Sequence, residues 1–152
     1  MNKFIIKRKD GGISIGIHIE GDNLDDEIMK WEQTYPCKSS YHQYENRFPN
    51  DEDGYFHEAY DHSQEQGVFV DMEKAKVLHI NKLREIRKQK FIDLGFPHKL
   101  NPQLEDAILD ESIKSKLKEL RDFPQNLDLS NVNDHNELKN IIPLCLINNH
   151  TI

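Results

Sequence analysis

Eight histidines stand in the sequence, and one pair flanks a glutamate, in His57-Glu58-Ala59-Tyr60-Asp61-His62. A zinc-protease helix needs two histidines four residues apart on one face, with the glutamate as base. Here the spacing is five. On a regular helix that is about 500° of rotation, so the two rings diverge by roughly 140°. A hydrolase built on His57, Glu58 and His62 is therefore not expected. Asp51, Asp53 and Gly54 look like part of a calcium loop. With Gly54 as the sixth position, Pro49 and Tyr60 fall where the first and last ligands belong, and neither can serve. A solvated turn is the expectation. Gly11 to Gly16 has neither the spacing of a phosphate loop nor a following Lys-Ser/Thr. Cys37 has only His42 nearby as a base, without a nucleophile signature around it. Cys145 lies in the apolar run Ile141 to Ile147 and reads as a buried thiol. His79, beside Leu78 and Ile80 in a long helix, reads as a helix-surface or packed histidine rather than a ligand. No catalytic, metal or cofactor residue is assigned, no cofactor is implied, and the reading is not an enzyme.

The elements that would position such residues can be read from period and turn chemistry. Lys3 to Lys7 is a strand, and Asp10-Gly11-Gly12 supplies the positive φ angles of a tight hairpin turn. Ile13, Ile15, Ile17 and Ile19 then alternate with Ser14, Gly16, His18 and Glu20, which predicts one buried and one wet face. Asp22 or Asn23 caps a short helix whose stripe is Leu24, Ile28 and Trp31, the natural cover for the isoleucine face. Residues 33–67 lack period but hold most of an aromatic series. From Trp31 to Tyr60 lie eight of the thirteen aromatics in the chain. Disordered tracts are poor in aromatics, so an ordered, wrapped segment is expected, with a short helix near Tyr55 to His62. Val68 to Val70 is a short strand that could join the hairpin.

Asp71 caps a long helix, about Met72 to Leu94, stopped by Gly95 and Pro97. Asn101 and Pro102 open a second helix with the stripe Leu104, Ile108 or Leu109, Ile113, Leu117 and Leu120, ended at Pro124. The short connection makes the two an antiparallel αα-hairpin. A last turn of helix starts at Asp134, with Glu137 three residues on as in a capping box. Its apolar side is Leu138, Ile141 and Ile142. The β-prone tail Leu144 to Ile147 docks as an edge strand or onto the helices.

Composition removes whole classes. The 152 residues are 36% hydrophobic and 31% charged, with a net charge of -7 and a mean hydropathy of -0.79. No apolar run approaches the ~20 residues that span a bilayer. No basic segment and apolar core of a signal peptide opens the chain. Two distant cysteines are no disulfide framework, so a reducing cytoplasm is the expected setting. The acidic balance argues against a general nucleic-acid binder. Charge is also segregated. Glu20 to Glu65 holds thirteen acids against three bases, whereas Met72 to Lys90 holds seven bases against two acids. Mutual compensation is the favoured expectation. A basic patch for nucleic acid and an acidic surface imitating DNA phosphate are the rivals.

A resemblance rests on motif order. Gly54-Tyr55-Phe56-His57-Glu58-Ala59-Tyr60 is followed by Val68-Phe69-Val70-Asp71-Met72-Glu73-Lys74-Ala75-Lys76, Leu78-His79, Leu83-Arg84 and Arg87. Leu120-Arg121-Asp122-Phe123-Pro124, Glu137-Leu138-Lys139 and Ile142-Pro143 come after them. Over about two thirds of its length the chain thus resembles small proteins encoded by tailed phages and prophages, often among tail genes. His57 stands where that family usually has arginine, and Tyr60 where it has tryptophan. Ser63 to Gly67 is an insertion. The resemblance implies no enzymatic activity; it implies a virion, tail-assembly or accessory role through protein contacts.

The expectation is an α+β protein. Residues 1–70 form an antiparallel β-hairpin, or three strands, with a short helix and an aromatic-rich acidic segment. Residues 71–152 form an αα-hairpin with a short helix and an apolar tail. The expected function is that of a phage or prophage accessory protein in tail assembly or tail structure. The alternative is an acidic inhibitor of a nucleic-acid-binding host enzyme. The expected partner is a protein, either a tail component or that enzyme, with neither membrane nor nucleic acid. Trp31, Tyr35, Tyr41, Tyr44 and Phe48 are the expected contact residues, since aromatics are enriched at hot spots. A monomer or homodimer is expected, in the cytoplasm of a bacterial host or on the virion. Exposure of Ile86, Phe91 and Phe96 would favour the dimer.

Overall fold

The computed structural model describes residues 2–8, 10–34, 43–93 and 111–147. It is an α+β chain whose first element is an antiparallel β-hairpin. The backbone divides into two compact units, Met1–Ala75 and Lys76–Ile152. No helix among the described residues is long and apolar enough to cross a membrane.

In the first unit, β1 (Asn2–Lys7) pairs antiparallel with β2 (Ile13–His18). Gly11 closes the turn at φ 87°. Its amide reaches the Arg8 carbonyl at 3.2 Å, and the Arg8 amide reaches the Gly12 carbonyl at 2.8 Å. The third strand is β3 (Gln43–Glu45), on the other side of β1. Val68 to Val70 does not join this sheet. It belongs to β5 (Gly67–Val70), which pairs with β4 (Tyr60–Ser63) in a separate two-stranded sheet. The helix expected near Tyr55 to His62 is only a 3-10 turn, His57–Ala59, running straight into β4. The local partner at Ser63 to Gly67 explains the difference: a tight turn offers Val68 a strand at far smaller loop cost than the distant hairpin.

α1 (Leu24–Thr34) does cover the hairpin, but on the face opposite the isoleucines. Cross-strand partners share a face. Phe4 stands opposite Gly16, and Ile6 opposite Ser14. Phe4 and Ile6 pack with Ile28, Leu24 and Trp31, so the helix lies over Ser14, Gly16 and His18. His18 Nδ1 meets Glu27 Oε2 at 2.8 Å on that side, and this hydrogen bond holds the Glu27 carboxyl below the usual range. The bulk is supplied by Phe4, whose ring fills the space above Gly16. A Cβ on Gly16 would lie 2.1 Å from the ring. On the isoleucine face, Ile5 and Ile13 are buried, whereas Ile17 is 53% and Ile19 64% exposed. The predicted buried face is therefore covered at one end only.

The second unit contains most of α2 (Met72–Asp93), together with α3 (Glu111–Asn126), α4 (His135–Lys139) and α5 (Leu144–Ile147). The Asp71 carboxylate accepts from the amides of Glu73 and Lys74, as a cap should. Leu83 of α2 packs with Leu120 and Phe123 of α3 and with Cys145 and Leu146 of α5. The expected start of the second helix, with Asn101, Pro102, Leu104, Ile108 and Leu109, lies outside the described residues, as do Phe96 and the side chain of Ile113. Pro124 does not end α3, which runs two residues further. A proline in the last turn deletes a single hydrogen bond, and the Leu127 amide still reaches the Phe123 carbonyl at 3.0 Å. Asp134 caps α4 through the Asn136 amide. Leu138 is buried, but α4 stops at Lys139, and Ile142 is exposed. The tail is a turn of helix, with Cys145 and Leu146 inside. Burial raises the Cys145 thiol pKa, as does the nearby Glu119 carboxylate.

His79 joins α2 to the segment before α5. Its ring is buried, and its Nε2 donates to the Ile141 carbonyl at 2.8 Å. Burial pushes its pKa below the ordinary 6.5, outweighing the opposing pull of the Ile141 carbonyl, and Lys82 lowers it further. The unfolded chain then binds more protons than the native one as pH falls through 6.5. Stability contributed by this group is complete above pH 6.5 and declines on acidification toward the folded pKa. Urea titrations at pH 7.5 and 5.5 should show a smaller difference between the two pH values in His79→Gln than in the native protein.

Candidate functional site

A dense group of titratable side chains lies where β3 leads into the wrapped segment. Glu45 ends β3 and is 3% exposed. Its Oε1 accepts from the amides of Asn46 at 3.0 Å and Arg47 at 2.7 Å, and from Arg47 Nε at 3.1 Å. Its Oε2 accepts from Arg47 Nη2 at 3.3 Å and His62 Nε2 at 3.2 Å. Burial alone would raise this carboxyl. The donors from Arg47 and His62 outweigh it and hold the pKa at about 2. Arg47 extends the arrangement to the β4–β5 turn. Its guanidinium donates to the carbonyls of Glu65 and Gln64, and its own carbonyl accepts from the Val68 amide. Gly67, at φ 72°, is needed there, because a Cβ would meet Arg47 Cβ at 2.7 Å.

A second carboxylate repeats the pattern on the same strand. Tyr60 and His62 alternate onto one face of β4, and both are buried. The Tyr60 hydroxyl donates to Asp51 Oδ2 at 2.9 Å, and so does the Phe56 amide. Burial and the Asp51 carboxylate together push the Tyr60 phenol well above its ordinary pKa. Asp51 therefore turns inward rather than into solvent, while Glu52 and Asp53 are exposed as expected of a turn. Asp61, on the opposite face, bridges Lys7 at 3.3 Å and Lys74 at 3.6 Å. Burial opposes its ionisation, but the His62 amide and both lysines hold its pKa low.

Glu45 and His62 form a carboxylate–imidazole pair, the base half of many nucleophilic sites. Such a site also needs a nucleophile on the imidazole and room for a substrate. The His62 side chain is 1% exposed, and the carboxylate is saturated with donors. What this pair does is fasten the segment after β3 to the β4–β5 hairpin. His57 and Glu58 are not brought to it; both are exposed on the 3-10 turn. Among the described residues, no group of three or more His, Cys, Asp or Glu is arranged to hold a metal ion.

The expected contact residues divide. Trp31 sits edge-on to Phe4 with ring centroids 5.9 Å apart, and Phe48 lies beneath the Lys3 ammonium at 4.3 Å. Both therefore contribute to the first unit's own packing. Tyr35 and Tyr41 lie outside the described residues, as does the side chain of Tyr44, whose backbone stands opposite Phe4 in β3. The surface is apolar elsewhere: at Ile17, Ile19 and Met29 in the first unit, and at Val77, Ile86, Ile92, Ile142, Leu144 and Ile147 in the second. Phe91 is partly buried against the second unit's core.

No protein-family model matches the sequence, and no curated protein or solved structure shows significant similarity to it. Sequence reasoning missed Glu45 and Arg47, and placed Asp51 in a solvated turn instead of beneath the Phe56 amide and the Tyr60 hydroxyl. The only signal was an acid two residues before a base, which is common on any polar surface.

Proposed function

We propose that this is a non-enzymatic accessory protein that works through protein–protein contact, in the tail assembly or tail structure of a phage or prophage. One observation carries the non-enzymatic part. The best-placed acid–base pair, Glu45 and His62, is sealed from solvent and used up in hydrogen bonds within the unit. The exposed apolar side chains are what remains to meet a partner. The tail setting rests on the motif order from Gly54 to Pro143 and on nothing else. An antiparallel helical hairpin from α2 and α3, and action in the bacterial cytoplasm or on the virion, belong to the same proposal. The acidic-inhibitor reading gains less support, since Glu27, Glu45, Asp51 and Asp61 each bond within the first unit.

Affinity capture from cells that produce phage tails tests the reading. Tail components should copurify and persist as salt is raised, because apolar contacts are weakly screened. Capture of a host nuclease or polymerase alone, lost steeply with salt, would refute the tail role and favour the inhibitor.

A further inference from the structure

The edge strand β2 carries a feature that neither the packing nor the proposed function uses. Ile13-Ser14-Ile15-Gly16-Ile17-His18-Ile19 reads almost identically in both directions around Gly16. The segment contains no lysine, arginine or acid. Native edge strands are usually blunted by charge, proline or a bulge, and none of these interrupts Ile13–His18. Among the described residues β2 is the outer strand of its sheet, in the order β2-β1-β3.

The backbone register decides which groups face outward. The Arg8 amide bonds to the Gly12 carbonyl. Hydrogen-bonded pairs alternate along an antiparallel ladder, so Ser14, Gly16 and His18 direct their backbone groups to β1. Ile13, Ile15, Ile17 and Ile19 direct theirs away from it. Three of the four outward groups at the two ends are engaged within the chain. The Ile13 carbonyl accepts from Arg8 Nη1, the Ile19 amide donates to Glu27 Oε1, and the Ile19 carbonyl accepts from the Asp22 amide. The outward N–H and C=O groups of Ile15 and Ile17 have no hydrogen-bond partner among the described residues.

We propose that β2 pairs antiparallel with β2 of a second copy of this chain, across a two-fold axis at Gly16. A dyad needs a strand that complements itself, which is what a palindrome provides. Ile15 then stands opposite Ile17 of the second copy, and each such pair exchanges both backbone hydrogen bonds. Ile13 faces Ile19 of the second copy, so Ile17 in the strand and Ile19 just beyond it, 53% and 64% exposed, meet apolar partners. Ser14 faces His18 on the α1 side, and Gly16 faces Gly16 at the axis. The absence of charge means the dyad opposes no like charges. The two sheets become one continuous six-stranded sheet, three strands from each copy.

Sedimentation equilibrium of the full chain, with amide exchange, tests it. The native protein should approach twice its 17.9 kDa mass as concentration rises. Ile17→Lys should weaken association by ~tenfold or more, because it sets a charge against an apolar strand at each dyad-related position. Leu144→Lys, at an exposed position in the second unit, should leave association unchanged. Exchange at the Ile15 and Ile17 amides should slow as the dimer forms. A native protein that stays monomeric at the highest concentration overturns the proposal. So does a dimer that Ile17→Lys leaves intact, or one in which the Ile15 and Ile17 amides exchange at the same rate at every concentration. If Ile17→Lys fails to fold, the amide measurement on the native chain decides alone.

Discussion

Glu45→Gln is expected to lower the stability of the first unit by about 3 kcal/mol. Removing one member of a buried ion pair typically costs about 3–5 kcal/mol, and the half-exposed Arg47 side chain places this case at the low end. The neutral amide loses the attraction of the guanidinium, and its nitrogen cannot accept hydrogen bonds. Trp31 is the only tryptophan in the chain and packs on Phe4, so its fluorescence reports unfolding of this unit in urea. The same substitution should change the response to acid. Glu45 titrates near 4.5 unfolded and about 2 folded, so the unfolded state binds more protons between those values. Its contribution is complete above pH 4.5 and is lost as pH falls toward 2. In Glu45→Gln that part of the acid transition should vanish. An unchanged urea midpoint at pH 7 would mean that the cluster does not hold the wrapped segment in place.

The second large effect is at Gly16. Gly16→Ala should cost about 3 kcal/mol, the upper end of typical overpacking penalties. Its methyl group would enter the ring of Phe4, which has no exposure through which to move away. Phe4→Leu should cost roughly 1–2 kcal/mol by itself. Adding Gly16→Ala to Phe4→Leu should then cost less than about 1 kcal/mol more, because the branched side chain leaves room above the strand. A coupling of about 2 kcal/mol is within the range for residues in contact. Purely additive costs would show that the ring does not lie over the glycine.

Glycine turns and an aspartate cap are legible in the sequence, whereas Pro124 does not stop its helix. Gly11 at the hairpin turn and the Asp71 cap appear in the structure where the sequence places them, and β2 forms over Ile13–His18, though only one end of its isoleucine face is buried. The side of the hairpin that α1 covers was not legible. The pattern of β2 is apolar at Ile13, Ile15 and Ile17, and it takes the paired strand to show that Phe4 fills the space above Gly16 from the other side. The segment from Glu45 to Tyr60 was illegible for another reason. Its order comes from polar side chains reaching across many residues, such as Arg47 to Glu65 and Asp51 to Tyr60, and such contacts leave no period. The aromatic enrichment signalled order there but not its cause. The tail from Leu144 to Ile147 is β-prone by composition yet folds as a helical turn. Four residues carry little propensity of their own, and the cluster with Leu83, Leu120 and Phe123 decides.

Chemical modification of the histidines tests most directly whether the acid–base pair is closed to chemistry. Diethyl pyrocarbonate, followed by peptide mass spectrometry, compares His57 with His62 in the same molecule. His57 is exposed on the 3-10 turn and should react at once. His62 donates to Glu45 within the buried cluster, so it should react only through unfolding. Native stabilities above about 5 kcal/mol make that slower by roughly a thousandfold or more. Modification of His62 as fast as His57 in the folded protein would contradict the account, because the pair would then be open to solvent and to substrates.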